Sequence, residues 1–307
     1  MVNFLVDKLP EYFQPITIRK KRIVNFFLVF LLTLISYQVI LELITVQIPI
    51  FGFHDIVDLQ NPQEIPPRRR DFPGDYSQQK LEPFLESLVV NNYWFLSTQE
   101  LYDYFLATTP KIVPAEYRDR KKVIISFDDG NKSIYTHLLP ILEKLENKYG
   151  KKIKVVVFIN SGFFGTHHSL IKKVNCQDLR EGFKKGFYDI QSHGLNHENF
   201  TKISLQALDR ELSQDQIRLR KCTQDLDPNQ TVASHIAYPF GAVNKQVENH
   251  VGKYYTSGYL YDSLKLKLGF FPHNPYRISR LTINNKHSTK KLMKMASGNW
   301  LHRTIGK

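Results

Sequence analysis

Apolar residues fall along this chain in three successive patterns. The first is unbroken: Ile23–Leu41 runs for 19 residues without a charge, long enough at about 1.5 Å per residue to cross a hydrocarbon layer of about 30 Å. The second is a series of short strand-like runs at 48–54, 93–96, 122–127, 155–159, 188–191, 235–238, 255–259 and 278–283. Between them lies helical spacing. Residues 81–90 read as a helix, and Ser97-Thr98-Gln99-Glu100 has the capping-box form that opens another through Phe105. Ile134, Leu138, Ile141, Leu142 and Leu145 recur at helical intervals, with Pro140 expected to kink or restart that helix. Ser204 caps a fourth, with Leu205, Leu208, Leu212 and Leu219 on one side. Strands alternating with helices predict an α/β fold, a distorted (β/α) barrel of about seven strands preceded by one transmembrane helix. The Pro- and Arg-rich stretch 61–74 reads as a loop.

Arg19, Lys20, Lys21 and Arg22 stand directly before the long apolar run. Their charge keeps the N-terminus in the cytoplasm and carries everything after Glu42 across the membrane. An uncleaved anchor is expected, because the run exceeds a signal-peptide core of about 7 to 15 residues and no small-x-small site follows it.

The polar residues that interrupt the strands gather at strand ends: His54, Asp128 and Asp129, His193, and the turn at Pro239. Parallel barrels collect their chemistry there. His193 and His197 are four apart, which on a helical turn places both imidazoles on one side. One carboxylate added to them gives a facial set of two histidines and an aspartate with open positions for water and substrate. The other aspartate is then free for proton transfer.

Composition narrows this further. With 42% hydrophobic and 13% aromatic residues the chain can bury a sizeable core. Its net charge of +13 is concentrated after Ser263, where ten basic residues face no acidic one; a solvated basic face is the simpler account, and no nucleic-acid module accompanies it. Cys176 and Cys222 fit neither a metal spacing nor a disulfide scaffold; a single bridge between them is possible, but nothing in the sequence brings them together. His167 and His168 read as surface loop residues, and the three Asn-x-Ser/Thr triplets as chance.

Ser126-Phe127-Asp128-Asp129-Gly130, His193-Gly194-Leu195-Asn196-His197 and Tyr238-Pro239-Phe240-Gly241 together resemble the three motifs of the polysaccharide deacetylase family, the NodB-like or carbohydrate esterase family 4 domain. The resemblance implies Asp128 as general base, Asp129, His193 and His197 as metal ligands, and the turn Tyr238, Pro239, Phe240 as substrate and oxyanion contacts through the backbone N–H near Phe240. Phe53-His54-Asp55-Ile56-Val57 is similar to the early strand of the permuted branch that acts on poly-N-acetylglucosamine, which implies His54 as general acid with Asp55 nearby. One position departs: the third motif's arginine, which steadies the base, is Ala237 here. Arg280, or less readily Arg277, is expected to replace it.

The function so implied is metal-dependent N-deacetylation of an N-acetylglucosamine-containing polysaccharide outside the cytoplasmic membrane. The metal is one divalent ion, zinc by default, with cobalt, nickel or iron also suited to the ligands. A catalytically silent carbohydrate-binding or assembly protein, and a hydrolase of a small amide or acetyl ester, are the alternatives. The expected organisation is a cytoplasmic segment 1–22, an anchor 23–41, a deacetylase domain 46–285 and a basic tail 286–307.

Overall fold

In a computed structural model the described residues are 14–64, 72–168, 171–269 and 273–297. Parts of the Pro- and Arg-rich loop and of the basic tail, with Trp300, lie outside them. The chain divides into two units, one ending at Thr45 and one beginning at Val46.

The first unit contains a single 31-residue helix, α1 (Gln14–Ile44). Its Ile23–Ile40 portion has mean hydropathy 2.2 and no buried residue, so it is long and apolar enough to cross a membrane.

The second unit is a curled, parallel sheet of seven strands: β1 (Ile50–Phe53), β2 (Lys122–Phe127), β3 (Val155–Ile159), β4 (Tyr188–Ser192), β5 (His235–Ala237), β6 (Ser257–Tyr259) and β7 (Leu281–Thr282). Their order is β6-β5-β4-β3-β2-β1-β7, and the short strand Trp94–Phe95 also pairs with β2. A parallel bridge between Tyr259 and Ile278 links β6 to the segment leading into β7, joining the two ends of the sheet. Six helices pack outside: α2 (Gln78–Val90), α3 (Leu139–Tyr149), α4 (Cys176–Lys184), α5 (Leu205–Thr223), α6 (Lys245–Val251) and α7 (Thr289–Ala296).

Pleating divides the core in two. Ile50, Ile124, Val156, Phe158, Ala237 and Tyr259 pack with one another inside the sheet. Their neighbours Phe51, Phe53, Ile125, Phe127, Val155, Val157 and Ile236 face the helices. Both faces are covered, and for this reason β2 and β3 read as continuous apolar runs without alternation. The same parity carries past the strand ends. His54, Asp128, Asn160, His193, Arg280 and Thr282 all continue inward rows.

The local signals of the sequence have structural counterparts. Ser97 and Glu100 form the reciprocal capping box, although the helix they open passes into a wider π-helical turn at Tyr102–Leu106. Pro140 lies in the first turn of α3, after a π-helical turn at Ile134–Leu138, so it restarts the helix rather than bending it. Thr289–Ala296, part of the expected basic tail, is a helix whose Leu292 and Ala296 are buried in the outer core.

The structure pairs the two cysteines. Cys176 opens α4 and Cys222 closes α5, and the packing of those helices brings the two Cα atoms to 5.6 Å in a disulfide. Nothing in the sequence could show this, because the pairing depends on how two helices 46 residues apart meet. Closing a loop of that length is worth roughly 4 kcal/mol in the chain-entropy picture. Reduction of the folded protein should lower the melting temperature by about 10 °C, and Cys222→Ser should melt at the same temperature with or without reductant.

Candidate active site

The inward rows end in a cleft of about 650 Å³ lined by His54, Asp129, Asn160, Lys173, His197, Phe240, Tyr261 and Thr282, among others. At its floor three groups converge: Asp129 Oδ1 lies 3.5 Å from His193 Nε2 and 3.4 Å from His197 Nε2, and one ligand atom from each residue lies within 4.8 Å of the others.

The loop that carries the histidines is not helical, contrary to the reading of their spacing. Gly194 has φ +76° and His197 φ +58°, so two left-handed residues turn the chain back on itself and bring the rings to 5.0 Å. Gly194 stands where the family motif has a hydroxyl residue. A Cβ there would meet the Phe200 ring at 2.8 Å, so the residue must be glycine in this packing. Buried Glu211 of α5 braces the turn by accepting from the backbone N and side-chain Nδ2 of Asn196 at 2.8 and 2.7 Å.

Protonation states suit a cation. His193 Nδ1 lies 2.9 Å from the Ala237 carbonyl, which fixes the tautomer and turns Nε2 toward Asp129. Burial pushes the His193 pKa down to about 4 and lowers that of His197 as well, so both rings are neutral at physiological pH. Asp129 Oδ1 is buried without a hydrogen-bond partner. An orphaned carboxylate oxygen facing two neutral imidazole nitrogens is a donor set that fits a divalent ion.

Asp128 is held differently. Arg280, fully buried, donates from Nη1 and Nη2 to the two carboxylate oxygens at 2.6 and 2.9 Å. Its Nε is anchored on the Leu260 carbonyl at 2.7 Å, and its guanidinium lies 4.9 Å from the centre of the Phe158 ring. Burial pushes the Asp128 pKa up, but Arg280 together with His193 outweighs it and holds the carboxyl at about 2. Arg280 thus occupies the place that Ala237 leaves empty. Arg277, the other candidate, pairs instead with Glu248 at 2.8 Å.

His54 leaves the end of β1 into the cleft, with the Tyr261 hydroxyl 3.4 Å from Nδ1. Gly52, one inward position earlier, makes room: a Cβ there would lie 2.8 Å from the Tyr261 ring. Asp55 is buried and accepts from the Ser133 hydroxyl and the Ile56 amide.

The third motif separates into two parts. Phe240, at φ +60°, is 65% exposed and sets its ring edge-on to His197 at 4.6 Å. Tyr238 does not reach the cleft. It points outward by strand parity, is fully buried, and donates its hydroxyl to the Tyr276 carbonyl at 2.9 Å. Pro239 is buried beneath the turn. Of the expected substrate contacts, only Phe240 lines the cleft.

His167 is exposed, but His168 belongs to the cleft wall, stacked on Phe163 at 4.2 Å. Lys173, Asn160, Tyr261 and Thr282 were not singled out from sequence. Asn160 follows the apolar run of β3 directly, and the strand-end rule that found Asp128 and His193 points to it equally.

Residues 115–256 match the family described as polysaccharide deacetylase. A poly-beta-1,6-N-acetyl-D-glucosamine N-deacetylase from Staphylococcus aureus is 30% identical over 129 residues, 41% of this chain and 42% of that protein's length. Among solved structures, the Streptococcus pyogenes deacetylase PplD superposes with a TM-score of 0.65 at 19% identity, covering 82% of this chain and 99% of that one. IcaB from Ammonifex degensii gives 0.61 at 16% identity, covering 81% and 97%. At those identities the structural likeness speaks to the fold, and the sequence match together with the motifs speaks to the family. On that basis residues 115–256 resemble the polysaccharide deacetylase family.

Proposed function

We propose that this protein removes N-acetyl groups from an N-acetylglucosamine-containing polysaccharide outside the cytoplasmic membrane, by metal-dependent hydrolysis that releases acetate. One observation carries the reading: Asp129, His193 and His197 converge beside an Asp128 carboxyl clamped by a buried arginine. The substrate of the Staphylococcus aureus relative, poly-beta-1,6-N-acetyl-D-glucosamine, supports a polymer of this class.

Asp129, His193 and His197 would hold the ion, zinc by default. Bound there, it supplies Lewis acidity, lowering the pKa of a water and polarising the acetyl oxygen. Asp128, ionised at neutral pH, takes the proton of the attacking water, and Arg280 fixes the carboxylate's orientation while it does so. The backbone N–H of Phe240, in a left-handed turn whose ring lies beside His197, is the donor for the oxyanion that forms on the former carbonyl. His54 supplies the proton that the leaving amine needs, with Tyr261 limiting the ring's rotation. Residues 46–285, with α7 packed onto their outer core, make up the catalytic domain. α1 serves as an uncleaved signal-anchor, and the Cys176–Cys222 disulfide supports an oxidising compartment for everything that follows it.

Acetate release from defined N-acetylglucosamine oligomers and from peptidoglycan, with and without chelator, tests the reading. Chelator-sensitive release from the oligomers is expected, and His54→Ala should lose most of it while retaining bound metal. Metal-loaded protein that binds oligomers but releases no acetate would mark a silent carbohydrate-binding protein instead.

A further inference from the structure

Among the described residues, three buried polar atoms without a hydrogen-bond partner belong to residues that line the same cleft: Asp129 Oδ1, Asn160 Oδ1 and Thr282 Oγ1. The first is accounted for by the ion. The other two are not. Asn160 is 3% exposed, and its orientation is settled by its own bonds, because Nδ2 donates to the carbonyls of His193 and Gly194 at 2.6 and 2.9 Å. The atom left over is therefore the oxygen, an acceptor with no donor. Asn160 follows β3, between β2 with Asp128 and β4 with His193, so it is next to the reacting centre. Thr282 belongs to β7, three strands away on the other side of the ring. Burying an acceptor or a hydroxyl without a partner is unfavourable, and the structure does so twice in one cleft.

We infer that Asn160 Oδ1 and Thr282 Oγ1 are hydrogen-bonding anchors for hydroxyl groups of the sugar whose acetamide is hydrolysed. A sugar hydroxyl donates to Asn160, and a second one either accepts from or donates to Thr282. The inference rests on the deacetylase reading and deepens it: a pyranose carries hydroxyls on both sides of its acetamide and satisfies both anchors, whereas a small aliphatic amide or acetyl ester satisfies neither.

Thr282→Val is the clean variant, since it keeps the shape and removes only the hydroxyl. An N-acetylglucosamine tetramer titrated into chelator-treated full-length protein should bind about fivefold to tenfold more weakly to Thr282→Val, whose melting temperature should be unchanged or higher. Asn160→Ala should lose about tenfold. Because it also frees two backbone carbonyls, tetramers lacking a single hydroxyl on the reacting sugar are titrated in parallel. For wild type, losing the partnered hydroxyl should cost a similar factor, and in the matching variant it should cost nothing further. Anchors of merely structural importance would weaken parent and deoxy sugars equally, and that result overturns the inference. Wild-type binding left unaltered in both variants overturns it too, with the deacetylase reading intact. Wild-type protein that neither binds tetramer nor releases acetate overturns both.

Discussion

Arg280→Met should raise the pKa of Asp128 and free its carboxyl from the orientation that the guanidinium imposes. The carboxyl is almost fully buried, and burial alone raises its pKa; the arginine beside it is the chief reason it lies at about 2 instead of above the usual 3.8. With the guanidinium gone the effect of burial is opposed by less, so the pKa climbs. The acid limb of the pH–rate profile should move upward, and kcat at neutral pH should fall while KM changes little. Stability should follow the same sign. A carboxyl depressed in the folded state contributes stability above its unfolded value of 3.8 and loses it as the pH falls through about 2. Removing one partner of a buried ion pair costs about 3–5 kcal/mol, or on the order of 10 °C in melting temperature. Arg280→Lys keeps the charge but not the two-pronged bond and should fall between. An Arg280→Met enzyme with wild-type kcat and an unmoved acid limb would show that something else holds Asp128.

Loss of the ion should cost more in rate than any single proton-transfer group. Beside a divalent ion the pKa of a water falls to about 7, so chelation or His193→Ala should lower acetate release by at least roughly 10³-fold. Binding supplies a second readout. At an ion concentration of about 100 times Kd, a ligand specific for the folded state adds about 2.7 kcal/mol of stability. Wild-type protein should therefore melt several degrees higher when zinc is added, and His193→Ala should not. A zinc-dependent shift of the same size in His193→Ala and Asp129→Ala would place the ion elsewhere.

The arginine shows where sequence reasoning could reach and where it stopped. Ala237 at the motif position exposed a gap, and Arg277 and Arg280 were the cations expected to fill it. Which one filled it depended on parity: residue 280 continues an inward row beside Asp128, while Arg277 lies where Glu248 captures it. Parity also removed Tyr238 from the cleft although its neighbour Phe240 remained. The histidine pair was found by spacing, yet for a partly mistaken reason, because two left-handed residues, not a helical turn, bring the rings together.

What the sequence determined by itself was therefore local and periodic: the apolar helix near the N-terminus, the alternation that builds a parallel sheet, and the polar residues at strand ends that give the deacetylase motifs. These follow from short-range patterns of side-chain size and polarity, which the chain carries wherever it folds. Tertiary structure alone decided the Cys176–Cys222 bond, the choice of Arg280, the withdrawal of Tyr238 and the two unsatisfied atoms at Asn160 and Thr282. Each of these depends on a distance between segments far apart in the chain, and such distances exist only once helices have packed and the sheet has curled.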